Sequence, residues 1–172
     1  MKLGYRITRA ALLLIPALLL LFTHISLSGV SFAFGVVVLL SAFATMLYLF
    51  FHFDKTINAK IILEGLADAF FGLVLFTYPV PDKQFFLIIF SSWIFIMGAL
   101  LLVEGIVNRI DSKNFWIYIL AGITFPAMGF VIMNYNPRFQ ESVPLLIAII
   151  WILYSSTNLY LLLKTKKDIY KN

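Results

Sequence analysis

The chain has 172 residues, of which 62% are hydrophobic and only 12% charged, with a formal net charge of +5 and no cysteine. Soluble chains carry about 45–50% apolar and about 25% charged residues, so this composition excludes a soluble globular protein and leaves no room for a large extramembrane domain. The missing cysteine excludes disulfides, thiolate metal sites and S-palmitoylation, and the basic residues sit at the ends of apolar runs, which points to membrane orientation and not to nucleic acid.

In chain order, a short basic head with Lys2, Arg6 and Arg9 leads into an apolar span over 10–27 that contains Pro16. A basic head before a short apolar run resembles a signal peptide. Another span follows it instead of a soluble domain, so an uncleaved first span is expected. The second span covers 32–53 and runs into His52-Phe53-Asp54-Lys55. The third covers 58–78 and stops at Pro79 and Pro81, which lack the amide donor a continuing helix needs. The fourth, fifth and sixth spans cover 84–107, 115–133 and 143–163, separated by a polar loop at 108–114 and a turn around Pro137. A basic tail with Lys164, Lys166, Lys167 and Lys171 follows. Each run has the length of a spanning helix, about 20 residues. None alternates with period two, so helices are expected and not a barrel.

Six spans put both termini on one side of the membrane. Lys55, Lys60, Arg109 and Lys113 fall on the side of the basic head and tail, and only Lys83 and Arg138 on the other. The positive-inside rule then makes both termini cytoplasmic. The expected fold is an all-α membrane protein, a single integral domain of six transmembrane helices.

The spans repeat as helical hairpins. With an offset of 57, Gly65 meets Gly122, Gly72 meets Gly129 and Tyr78 meets Tyr135; after one inserted residue Pro79 meets Pro137 and Trp93 meets Trp151. Three hairpins result: 58–107, 115–163 and a degenerate copy, 10–53, without the glycine pair or the turn proline. Each unit is a whole hairpin, so the copies share one orientation and are related by an axis along the membrane normal. Inverted repeats, a frequent transporter signature, are not expected.

The pattern Gly65-x2-Asp68-x3-Gly72-x6-Pro79, then Trp93 and Gly98, then Gly122-x6-Gly129-x7-Pro137 and Asn158, resembles the HdeD family. These are small bacterial six-span proteins built from a short repeat of unknown function, the founding member being linked to acid resistance. The resemblance implies an inner-membrane protein without an established reaction, and it supplies no active site to carry over.

Asp68 is the residue that most needs a reason. It lies near the middle of the third span, where an ionised carboxylate costs roughly 2.5–3.5 kcal/mol. It is read either as a proton or cation site or as a hydrogen-bonded tie to a neighbouring helix. Ser91, Ser92, Thr124 and Asn158 are candidate partners, and no intramembrane Lys or Arg is expected beside it. The tie is the favoured reading, and Asp68 remains the first choice for any function. Glu64 lies on the same helix face one turn earlier and is expected to pair with Lys60. Glu104, near the end of the fourth span, comes to similar depth if spans three and four are antiparallel neighbours. Two close acids would form a proton-sensitive pair, whereas separate pairing of Glu104 with Arg109 or Lys113 is the favoured reading. Gly65 and Gly72, Gly98 and Gly105, and Gly122 and Gly129 share one spacing of seven and are read as helix-packing positions. Trp93, Trp116 and Trp151 are read as interface anchors.

Nothing here resembles an enzyme, a metal site or a cofactor site: His24 and His52 fall at opposite faces, and no phosphate-cradling loop occurs. The expected partners are the bilayer and, through the glycine faces, a second copy or another membrane protein. A structural or stress-related bundle and a proton- or cation-linked channel or transporter using Asp68, Glu64 and Glu104 are the two leading functional expectations.

Overall fold

The computed structural model describes residues 2–22, 26–51, 59–78, 82–107, 115–135 and 142–169. They form six helices: α1 (Lys2–Phe22), α2 (Leu27–Phe51), α3 (Ala59–Thr77), α4 (Lys83–Val107), α5 (Phe115–Met133) and α6 (Ser142–Ile169). All but α3 are long and apolar enough to cross a membrane, so the chain is an all-α, multi-pass membrane protein. α3 has spanning length, 19 residues, but carries Lys60, Glu64 and Asp68 within it. A helix satisfies its own backbone groups, which is why continuously apolar runs adopt this form where no water can serve them. Even Pro16 and Pro126 are absorbed inside α1 and α5.

Three boundaries differ from the sequence expectation. α1 begins at Lys2, so the basic head is helical and Arg6 and Arg9 project from the helix itself. α2 begins at Leu27, where Ser26 Oγ accepts the Gly29 N–H at 3.2 Å and caps it. α6 runs on to Ile169, past the expected end of the span. At α4, Asp82 Oδ1 accepts the Phe85 N–H at 2.8 Å and supplies the cap. The turn residues Pro79 and Pro137, and both His24 and His52, lie outside the described residues.

The helices close a ring in chain order, with α1 against α6. The tight seams join α2 to α3, α4 to α5 and α6 to α1, whereas α3 touches α4, and α5 touches α6, only lightly. Spans three and four are antiparallel neighbours as expected, but the hairpins meet each other more closely than their own halves meet. The glycines show why. Gly65 and Gly72 of α3 face Thr45 and Leu39 of α2, and a Cβ on Gly72 would sit 2.7 Å from the Leu39 amide nitrogen. Gly122 and Gly129 of α5 face Leu102 and Ser91 of α4, while Gly98 and Gly105 of α4 meet Pro126 and Tyr118 of α5. Backbones can approach this closely only where side chains are missing. Ala10 and Ala17 of α1, both buried, take the same spacing.

The inner faces of α2, α4 and α6 build the core. Phe34 of α2 sits at its hub, with ring centroids 5.2 Å from Phe90, 5.1 Å from Trp93 and 4.8 Å from Trp151. All four side chains are fully buried. Trp93 and Trp151 are therefore core residues and not interface anchors, because their flat rings fill the centre of the ring of helices. Trp116 alone of the three is exposed. The starts of α1, α3 and α5 and the ends of α2, α4 and α6 share one end of the molecule. Tyr5 stacks on Tyr48 at 4.5 Å, Arg6 and Lys60 reach Glu104, Tyr118 lies against Gly105, and Asn158 shares a cavity with Arg6. The charges gather at that end.

Candidate functional site

The site is a junction of buried ion pairs on α1, α3 and α4. Arg9 is its centre. One terminal nitrogen of its guanidinium lies 2.6 Å from Glu64 Oε2, and the other lies 2.8 Å from Asp68 Oδ2. Its Nε donates to Ser41 Oγ at 3.0 Å and to Asp68 Oδ2 at 3.2 Å. Asp68 is completely buried. Besides Arg9, it accepts from the Ser41 hydroxyl at 2.6 Å and, through Oδ1, from the Trp93 indole N–H at 2.9 Å. Four helices thus converge on one carboxylate.

Toward the end of the bundle the chain of charges continues. Lys60 pairs with Glu64 one turn on, at 3.3 Å, and also with Glu104. Arg6 meets the other oxygen of Glu104 at 3.3 Å. Arg6, Arg9 and Lys60 are balanced by Glu64, Asp68 and Glu104, so the junction is formally neutral. Ions taken out of water are stable only when paired and hydrogen-bonded, and these are both. Beside the junction lies a cavity of about 20 Å³ lined by Arg6, Lys60, Glu64, Glu104, Tyr118 and Asn158, room for about one water molecule. Asp68 does not line it. Among the described residues no group of His, Cys, Asp or Glu is placed to hold a metal.

Several expectations are corrected here. The partner of Asp68 is a cation after all, and it comes from the first helix. None of the four polar residues proposed for Asp68 contacts it. Ser91 and Ser92 donate to the Ile88 carbonyl of their own helix, Thr124 lines an open hollow between α5 and α6, and the Asn158 amide donates to the Tyr154 carbonyl. Glu104 pairs with Arg6 and Lys60; Arg109 and Lys113 lie outside the described residues. Glu64 and Glu104 do come to similar depth, since one lysine bridges them, but that lysine separates their charges.

The repeat explains why the junction forms where it does. Arg9 precedes Ala10 as Glu64 precedes Gly65 and Ala121 precedes Gly122, so the three hold one register position on α1, α3 and α5. All three are buried. An arginine and a glutamate at equivalent positions meet across the ring, and the third copy is neutral. The same register places Phe125 where Asp68 stands. Trp93 donates to Asp68, whereas the indole N–H of its counterpart Trp151 has no hydrogen-bond partner among the described residues. The third hairpin keeps the donor and lacks the acceptor. Arg9 and Ser41 were missed in the sequence, and the matching seven-residue spacing from Ala10 to Ala17 was the signal that could have found the arginine.

No curated protein and no solved structure matches the chain. Residues 63–134 match the family described as a short repeat of unknown function, DUF308. That stretch contains Glu64, Asp68, Trp93 and Glu104 but neither Arg9 nor Ser41, so one side of the junction comes from outside it. From α3 to α5, then, this multi-pass membrane protein is similar to the DUF308 short repeat, for which no activity is established.

Proposed function

We propose that the protein is a small structural protein of the bacterial inner membrane, linked to acid or other stress. In this reading both termini are cytoplasmic, and Glu64, Asp68 and Glu104 hold helices together instead of carrying ions. It has no enzymatic role, and its partners are the bilayer and a second copy or another membrane protein. The observation that carries this reading is the placement of Asp68: completely buried, bonded to Arg9, Ser41 and Trp93, and away from the polar cavity. The likeness to the HdeD family supports the link to stress. A group that shuttles protons needs water or a partner that exchanges with it, and Asp68 is instead fixed by packed neighbours from three other helices.

A transport reading retains one supporting observation, the small cavity between Glu64 and Glu104. One pair of variants separates the two. Asp68→Asn keeps one acceptor oxygen and leaves Arg9 paired with Glu64, while Asp68→Leu leaves the buried Trp93 and Ser41 donors with no acceptor there, at about 1–3 kcal/mol for each buried group left unmet. The structural reading expects Asp68→Asn to leave proton flux in reconstituted vesicles and acid survival of cells at the level of the unaltered protein, and Asp68→Leu to lower the unfolding midpoint sharply. Abolition of a measurable proton flux by Asp68→Asn, with the fold intact, overturns it.

A further inference from the structure

α3 stands apart from the other helices. Any stretch of it long enough to span carries three charged residues, Lys60, Glu64 and Asp68, and its two acids fall at its centre and one turn before it. Its charges are nevertheless buried, and its glycines close against α2. The groups that satisfy Asp68 divide by chain order: Arg9 and Ser41 precede α3, and Trp93 follows it. Only the first two are in place when α3 reaches the membrane. Arg9 can wait there, because it lies near the start of α1 and a long basic side chain reaches the headgroups from such a position.

We propose that α3 does not enter the bilayer as an independent span but is admitted by α1, whose Arg9 takes up the charges of Glu64 and Asp68 as α3 closes against α2. The inference rests on the membrane placement of the bundle and not on whether the junction transports anything. The seam supplies the shape: Gly65 and Gly72 on α3, with Gly35 opposite on α2, let the helices meet without rearranging side chains. Arg9 supplies the charge. Either alone is insufficient, since apolar packing leaves Asp68 without a cation in hydrocarbon and Glu64 with Lys60 alone, and a salt bridge without the seam leaves the acids wet.

The chain has no cysteine, so a single Gln84→Cys at the far end of α3's connection to α4 reports on which side that connection lies. Cells producing the full chain are treated with a membrane-impermeant maleimide, and labelling is expressed per molecule of protein. With no other change, residue 84 labels from outside the cell. Adding Arg9→Leu lowers that labelling about tenfold or more, since Asp68 then has no cation and Glu64 keeps only Lys60. Adding Glu64→Gln and Asp68→Asn to Arg9→Leu restores it, which a general folding defect would not do. Undiminished labelling in Arg9→Leu, or a lasting loss in the triple variant, overturns the inference. If residue 84 of the otherwise unaltered chain labels only after permeabilisation, the connection does not lie outside as a spanning α3 with cytoplasmic termini requires, and the inference falls. The Asp68→Asn flux measurement still judges the structural reading independently.

Discussion

A guanidinium presents its N–H donors in a planar fork and keeps its proton in proteins, so it can serve two carboxylates at once without becoming neutral. Arg9 does this for Glu64 and Asp68, and a lysine would offer only a point charge in its place. Trp93 completes the shell through an indole N–H that can only donate. The two core tryptophans then make a controlled comparison. Trp93→Phe leaves an acceptor on a buried carboxylate unmet, whereas Trp151→Phe removes an N–H that bonds nothing among the described residues. Both lose similar ring area, so Trp93→Phe is expected to be the more destabilising by about 1.5–3 kcal/mol in detergent unfolding. Equal losses would mean that the indole–carboxylate bond contributes nothing. At this scale the sequence exposes Asp68, because an acid in an apolar run is conspicuous. It hides the partner: an arginine at the edge of a span reads as a headgroup contact, and only three-dimensional register turns it inward.

At the scale of helices, apolar length and polar interruptions were enough to place six of them, since lipid leaves the backbone little choice. Their neighbours were less legible. Chain proximity suggests that consecutive spans pack together, but the tightest contacts run between hairpins, where glycine removes the bulk. The glycine positions were readable and the helix each faces was not, because a spacing of seven fixes a face without saying what covers it. Gly72→Val tests the assignment. Its side chain would press on the Leu39 backbone of α2, which cannot swing aside as a side-chain tip would. The expected cost is about 1–3 kcal/mol, with loss of a disulfide otherwise formed by oxidising a cysteine pair engineered across the α2–α3 seam. A variant that keeps both stability and cross-link would put α3 elsewhere.

For the whole molecule, the ring has no structural first helix. α1 lies along α6 as α3 lies along α2, and the helical starts and ends alternate so that α1 begins at the end of the bundle where α6 finishes. A short linker could therefore join the two and the chain be opened at another connection at that end, since termini that lie close together permit circular permutation. Opening the chain within 108–114 gives the order α5, α6, α1, α2, α3, α4, in which Arg9 is still made before Glu64 and Asp68. Opening the chain within 52–58 gives α3, α4, α5, α6, α1, α2, in which both acids emerge before their arginine. The finished ring is the same in both. If the ring alone mattered, the two permutants would accumulate equally in the membrane fraction. With Arg9 as the admitting charge, the first is expected to accumulate and the second to be degraded, unless Glu64→Gln and Asp68→Asn relieve it. A closed ring of helices has no beginning, but its synthesis has a direction, and the position of one arginine records it.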